Sequence, residues 1–203
     1  MTDCRSEDLT YCVPRFLSVV NLAYLYEAAK TADKVFDDQV KKAMTEGGDD
    51  SIGNINAARQ SLLRAVFISA YGVLEQNIDE IIDVKRAAAD ISLLPSDLSH
   101  KGIIRSVVYA EKVLGKKVDR STEVWQDLKF LQKVRNHLVH YGEGFSNSND
   151  HTKIHSQCMK SKYLTCRPEI CFSIDQIGAI FNLYVAFVEH FSHCCSASAV
   201  SPN

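Results

Sequence analysis

Apolar residues recur every three to four positions along most of the chain, which is the period of an amphipathic helix rather than the two-residue alternation of a half-buried strand. The clearest run lies between about Asn56 and Ala89, where Leu63, Val66, Phe67, Ala70, Leu74, Ile78 and Ile81 fall on one stripe. Pro95 closes the segment that follows. Upstream, the pattern predicts a helix from Pro14, a favoured first-turn residue, to about Met44, ended by Gly47-Gly48-Asp49-Asp50. Downstream, Ile103, Val107, Ala110 and Leu114 mark a third helix over about His100 to Leu114, stopped by the turn at Gly115.

The fourth predicted helix opens at Ser121-Thr122-Glu123, a capping hydroxyl followed by an early acid, and runs through Val124, Leu128, Leu131, Val134 and Leu138 to Gly142. Residues 143–172 are rich in Ser, Asn, His and Lys without a sustained period, and read as an irregular excursion with a short hairpin within Tyr163–Phe172. Ser173-x-x-Gln176 is a capping box that opens a last apolar helix to about His193, before a frayed tail over 196–203. The expectation is therefore an all-α fold, an up-and-down bundle of about five helices in a single domain over 1–203.

Composition bounds the function. At 203 residues and 46% hydrophobic content, the chain can bury a sizeable core. Runs such as Phe16–Val20 and Ile177–Phe181 are far too short to span a membrane, and Asp3, Glu7 and Asp8 do not fit the basic start of a signal peptide, so a cytoplasmic protein is expected. Seven cysteines, at 4, 12, 158, 166, 171, 194 and 195, are most simply reduced thiols. His151, His155, Cys158, Cys166 and Cys171 crowd one stretch, but without a Cys-x2-Cys pair they make a poor zinc signature, and no metal or cofactor is expected.

The formal net charge is only −2, yet it is unevenly spread. Residues 1–50 carry six Lys/Arg against ten Asp/Glu, whereas 101–135 carry nine against four. The basic side ends on the most informative segment, Arg135-Asn136-His137-Leu138-Val139-His140-Tyr141-Gly142. Here Arg-x4-His sits at the end of a predicted helix. An arginine forks onto phosphate oxygens, and a histidine both takes and gives a proton near neutrality, so the pair suits RNA cleavage by attack of a 2′-hydroxyl on the adjacent phosphate. Lys129 and Lys133, six and two residues upstream of Arg135, are candidate RNA contacts. The bland alternative is a solvated face at Arg135 and Asn136, with His140 favoured by the helix dipole.

On an ideal helix Arg135 and His140 stand about 140° apart, whereas Asn136 and His140 are only about 40° apart. The core stripe, centred on Leu131 and Leu138, turns His140 away from the chain's own core. Trp125, Phe130, Val134, Val139 and Tyr141 add apolar surface around the rest of this helix, which points to burial on a second side and to a two-fold homodimer.

Arg135-Asn136-x-x-x-His140 at a helix end, preceded by a long helix with Tyr71-x-x-Leu74-Glu75, resembles the HEPN superfamily, most closely its short stand-alone ribonuclease-type members. The similarity covers about 56 to 142 and the final helix. The resemblance implies a helical bundle that dimerises through its Arg-x4-His helices and acts as a metal-independent endoribonuclease in toxin, abortive-infection or phage-defence roles. It casts Arg135 as the phosphate-contacting cation, Asn136 as the polar motif residue and His140 as the catalytic histidine, with Glu75 and Tyr141 in support. A buried glutamate held for structure alone is the other reading of Glu75. The branch that pairs with nucleotidyltransferase antitoxins has a tyrosine two residues after the histidine. Gly142 stands there in this chain, with Tyr141 adjacent, so an antitoxin or regulatory partner is expected only in general terms. Two rival classes remain: a catalytically silent module that binds nucleotide, RNA or protein, and a purely structural helical interaction protein.

Overall fold

The computed structural model describes residues 6–145, 149–166 and 168–196, with side chains described from residue 20 onwards except at 149–151. Six α-helices and one two-stranded hairpin account for most of them: α1 (Ser6–Glu46), α2 (Asp49–Ala88), α3 (Gly102–Lys112), α4 (Glu123–Tyr141), α5 (Asn149–Cys158), β1 (Thr165–Cys166), β2 (Ile170–Cys171) and α6 (Ile174–Ser196). A short 3-10 turn at Pro95–Asp97 precedes α3. No described helix is long and apolar enough to cross a membrane.

Local chemistry explains most boundaries. Gly47 adopts φ +72°, a left-handed stop that few other residues tolerate, and Asp49 and Asp50 then face the positive end of α2. Asp49 therefore opens this helix seven residues before the expected Asn56, carrying it through Gly53 at a cost in propensity. The stripe on α2 is buried as expected, from Leu63 to Ile81. Ser173 and Gln176 form the reciprocal cap of α6: Ser173 N–H donates to Gln176 Oε1 at 2.9 Å and Gln176 N–H to Ser173 Oγ at 3.2 Å.

Two expectations need correction. Pro14 lies inside α1 rather than at its start; a proline deletes one backbone donor and crowds the preceding turn, but turns on both sides carry the helix through. The excursion over 143–172 is less irregular than its composition implied, for it holds α5 as well as the expected hairpin. Among its described side chains only Ile154 and Cys158, one turn apart, bury a side of that polar helix, so its periodic signal was too weak to read. Residues 197–203, at the expected frayed tail, lie outside the described residues.

The chain forms two compact units, each assembled from separated segments. One comprises 1–21, 72–126 and 184–203. Its core includes Leu74, Ile78, Ile82, Val107, Tyr109, Phe187 and Phe191, and Trp125 lies against Phe187 with ring centroids 5.9 Å apart. Asp79 ties α2 to α3 by accepting from Arg105 Nη2 at 2.7 Å and from the buried Ser106 hydroxyl.

The other unit comprises 22–71 and 127–183, and contains the Arg-x4-His segment. Here Arg59 of α2 donates to Asp33 of α1 at 2.6 Å and to Asp37 at 2.8 Å. The small hairpin gains the partners its edges lack from side chains. The Gln60 amide donates to Phe172 O at 3.0 Å and accepts from Phe172 N–H at 2.9 Å, acting as a substitute peptide group. Arg64 Nε donates to Ile170 O and Ile170 N–H donates to Glu143 O, each at 2.9 Å. The strand after the hairpin turn is thereby fixed to the residues that follow α4.

Candidate functional site

α4 begins and ends where its sequence dictates. Thr122 Oγ1 accepts from the Trp125 N–H at 3.2 Å, and Gly142, at φ +78°, ends the helix with its N–H donating to Leu138 O. Leu128, Leu131, Val134 and Leu138 are buried. Lys129, Lys133, Asn136 and His140 follow the i, i+4, i+7, i+11 rule and fall within about 60° of one another around an ideal helix. Lys133, Asn136 and His140 are exposed, and Lys129 is half-buried with Nζ donating to Gln132 Oε1 at 2.8 Å. A basic, amide and imidazole stripe thus runs along the outward face to the helix end.

Arg135 lies at the flank of this stripe. Its guanidinium carbon is 5.5 Å from the centroid of the wholly buried Tyr71 ring on α2, within cation–π range, and its Nη1 donates to Asn136 Oδ1 at 3.0 Å. The aromatic face holds the charge from beneath, and Asn136 holds it from the side on which His140 projects. Arg135 and Asn136 are therefore in direct contact, and Asn136 and His140 share a face. Tyr71 carried no role in the sequence reading beyond its place in the resemblance. The available signal was its position on the α2 core stripe, four residues after Phe67.

The three residues that close the segment have different fates. His137 is only 4% exposed; its Nε2 donates to Gly144 O at 2.9 Å, and its ring stacks on Phe145 with centroids 4.6 Å apart. Phe145 also meets His155 of α5 in an edge-to-face arrangement, with ring centroids 4.9 Å apart. His137 is thus a core residue that folds the chain back after Gly142. His140 and Tyr141 remain outside, Tyr141 at 65% exposure with its ring 6.3 Å from that of His140. Val139 is also exposed, at 48%.

Glu75, expected as a supporting residue, is half-buried one turn beyond Tyr71 on α2 and falls in the first unit. The apolar girth of α4 is largely used within the chain: Trp125 and Val134 are buried and Phe130 is half-buried, so of the five residues cited for a second buried side only Val139 and Tyr141 remain exposed.

Among the described residues, no group of three or more His, Cys, Asp or Glu side chains could hold a metal ion. The side chain of His151 lies outside them. Burial pushes the Cys158 thiol up to about 12, with the neighbouring Cys166 adding to the shift, so it stays a neutral packing group. On the hairpin approach Tyr163 donates its hydroxyl to Asp127 Oδ2 at 2.7 Å, and Lys162 Nζ lies 3.4 Å from the same oxygen, which anchors this segment to the first turns of α4.

Set beside known proteins, the chain matches no protein-family model, no curated protein and no solved structure.

Proposed function

We propose that the chain is a metal-independent endoribonuclease similar to HEPN proteins, cleaving RNA at the end of α4. The observation that carries this reading is the pairing of Arg135 with Asn136 above Tyr71, beside an exposed His140 on a stripe that includes Lys129 and Lys133. In this mechanism the lysines draw the RNA backbone onto α4. His140 takes the proton from a 2′-hydroxyl as its oxygen attacks the adjacent phosphorus, and Arg135 stabilises the charge that gathers on the phosphorane oxygens. The bond to the 5′-oxygen breaks, that oxygen gains a proton, and the products end in a 2′,3′-cyclic phosphate and a 5′-hydroxyl.

Two chains are proposed to meet through their α4 ends, with the exposed Val139 and Tyr141 as the apolar part of the contact. The biological settings that fit are a toxin, an abortive-infection protein or a phage-defence effector in the cytoplasm, held in check by an antitoxin or regulatory protein. The test is RNA cleavage in chelator by wild type beside His140→Ala: loss in the variant alone supports the reading, and RNA retained without cleavage by both favours a binding module. That second reading has one observation in its favour, the use of Arg135 in packing against Tyr71.

A further inference from the structure

α1 carries apolar residues on two opposite sides. Leu22, Ala29 and Ala43 are buried on one, together with Asp33. On the other, Tyr24, Ala28, Thr31 and Val35 follow the i, i+4, i+7, i+11 rule and fall within about 60° of one another around an ideal helix. All four are exposed, Tyr24 at 72% and Val35 at 51%, and all belong to the unit that holds residues 22–71. Thr31 spends its donor on its own helix, its hydroxyl bonding to Glu27 O at 2.8 Å. The row ends where Asp38 and Lys42 take its next positions.

The alternating spacing of four and three residues is the seam of a helix that packs on another helix. Its two flanks differ. Leu25 and Ala32, half-buried and seven residues apart, make one flank apolar, whereas Glu27 and Lys34, exposed and seven residues apart, make the other charged. That asymmetry selects a partner and a direction. Laid parallel, a second copy of this helix would press each charged flank against an apolar one. Laid antiparallel, like flank meets like flank: Tyr24 packs on Val35 and Ala28 on Thr31, Leu25 comes beside Ala32, and Glu27 comes beside Lys34, each pairing made twice by the two-fold axis. The small pair at the centre lets the two backbones approach closely. The contact of Glu27 with its own Lys30, exposed and 3.7 Å long, costs little to exchange.

We propose that this outer row of α1 is a contact for a second copy of the chain, packed antiparallel about a two-fold axis between Ala28 and Thr31. Four apolar layers make a short interface, so the contact is weak and forms at high protein concentration. It does not depend on the ribonuclease reading. Where the α4 ends also pair, the α1 contact joins those dimers into larger assemblies.

The experiment is sedimentation velocity of the whole protein over a range of concentrations. Glu27→Lys alone and Lys34→Glu alone each turn both flank pairs into like-charge pairs and should weaken self-association roughly 5- to 30-fold, while the double change should return it to within about twofold of wild type. Melting temperatures should stay nearly constant, since both positions are exposed. Association through α4 alone would leave all three variants like the wild type, and would overturn the proposal without touching the ribonuclease reading. As a second readout, a chain with p-benzoylphenylalanine in place of Tyr24 is mixed with nitrogen-15-labelled wild type and irradiated. The cross-link should fall on the labelled peptide that holds Val35, which within one chain lies about 16 Å along the helix from Tyr24. A loss that the double change does not repair, a cross-link to another segment of the copy, or a cross-link in cells to a different protein overturns the proposal.

Discussion

The Arg135 guanidinium sits 5.5 Å over the ring of Tyr71, so the arginine of the Arg-x4-His segment is held by a buried aromatic face on a different helix. That contact orients a long side chain whose freedom would otherwise be lost on binding phosphate. Such contacts contribute about 0.5–2 kcal/mol, more where water is excluded. Tyr71→Leu should therefore lower RNA cleavage roughly 3- to 30-fold at a temperature where the variant is folded, and Tyr71→Phe, which keeps the ring, should stay close to wild type. Equal losses in the two variants would show that the ring face does not position Arg135.

The two histidines of the segment should separate cleanly into stability and activity. His140 is exposed, so His140→Ala should abolish cleavage and leave the melting temperature nearly unchanged, whereas Arg135→Ala should abolish cleavage and also lose the roughly 0.5–2 kcal/mol of its contact with Tyr71. His137 is buried on Phe145 and bonded to Gly144 O, so His137→Ala should cost about 2–4 kcal/mol of stability through a lost hydrogen bond and a cavity, with cleavage retained in the folded fraction. Urea denaturation read beside RNA cleavage distinguishes them. An inactive but stable His137→Ala together with a fully active His140→Ala would reverse the assignment.

How far the sequence speaks depends on the range of the interactions involved. The ends of α4 were legible because Thr122 and Gly142 act within one turn of themselves, and the start of α6 because Ser173 and Gln176 cap each other. The α2 stripe was legible because Leu63 to Ile81 repeat over several turns. What stayed hidden depends on distant partners: the burial of His137 requires Phe145 and Gly144 to fold back after Gly142, and the hold on Arg135 requires Tyr71 from another helix. The outward stripe from Lys129 to His140 and the turn of Arg135 away from it could be drawn from helical spacing alone, whereas the Tyr71 ring beneath Arg135 could not.

Alkaline pH should weaken the fold, and Tyr163 should contribute. Burial first, and then its hydrogen bond to Asp127, push its hydroxyl up to about 12, against about 10 for an unfolded tyrosine. The folded chain thus holds a proton that the unfolded chain releases, so this contribution is complete below about pH 10 and is lost as pH rises towards 12. Cys158 and Cys195, also raised to about 12, should start the decline from about pH 8.5, where unfolded thiols ionise. Urea midpoints measured from pH 7 to 11 should fall throughout the alkaline range, and Tyr163→Phe should flatten the part above about pH 10. A stability that rises with pH over that range would contradict the assigned burial of these groups.

Cleavage should persist in excess chelator and yield 2′,3′-cyclic phosphate ends, because the end of α4 offers a guanidinium, an amide and an imidazole, and a 2′-hydroxyl nucleophile needs a base and a countercharge rather than a metal-bound water. The ends can be read by their resistance to phosphatase and ligation until acid opens the cyclic phosphate, after which phosphatase exposes a hydroxyl that can be ligated. Activity lost in chelator and restored by magnesium would overturn the proposed chemistry.

The proposed homodimer makes the most demanding prediction, because it assigns the two halves of one site to different chains. Arg135 is turned to the flank against Tyr71 while His140 projects from the outward face, about 140° away on an ideal helix, so two α4 ends facing each other across a two-fold axis would set the Arg135 of one chain opposite the His140 of the other. Arg135→Ala and His140→Ala proteins should each be inactive alone. Unfolded together and refolded as an equal mixture, they should recover about a quarter of wild-type cleavage, since about half of the dimers are mixed and each mixed dimer rebuilds one of its two sites. Sites completed within a single chain would give no recovery, and full activity in a protein that sedimentation shows to be monomeric would remove the dimer from the mechanism altogether.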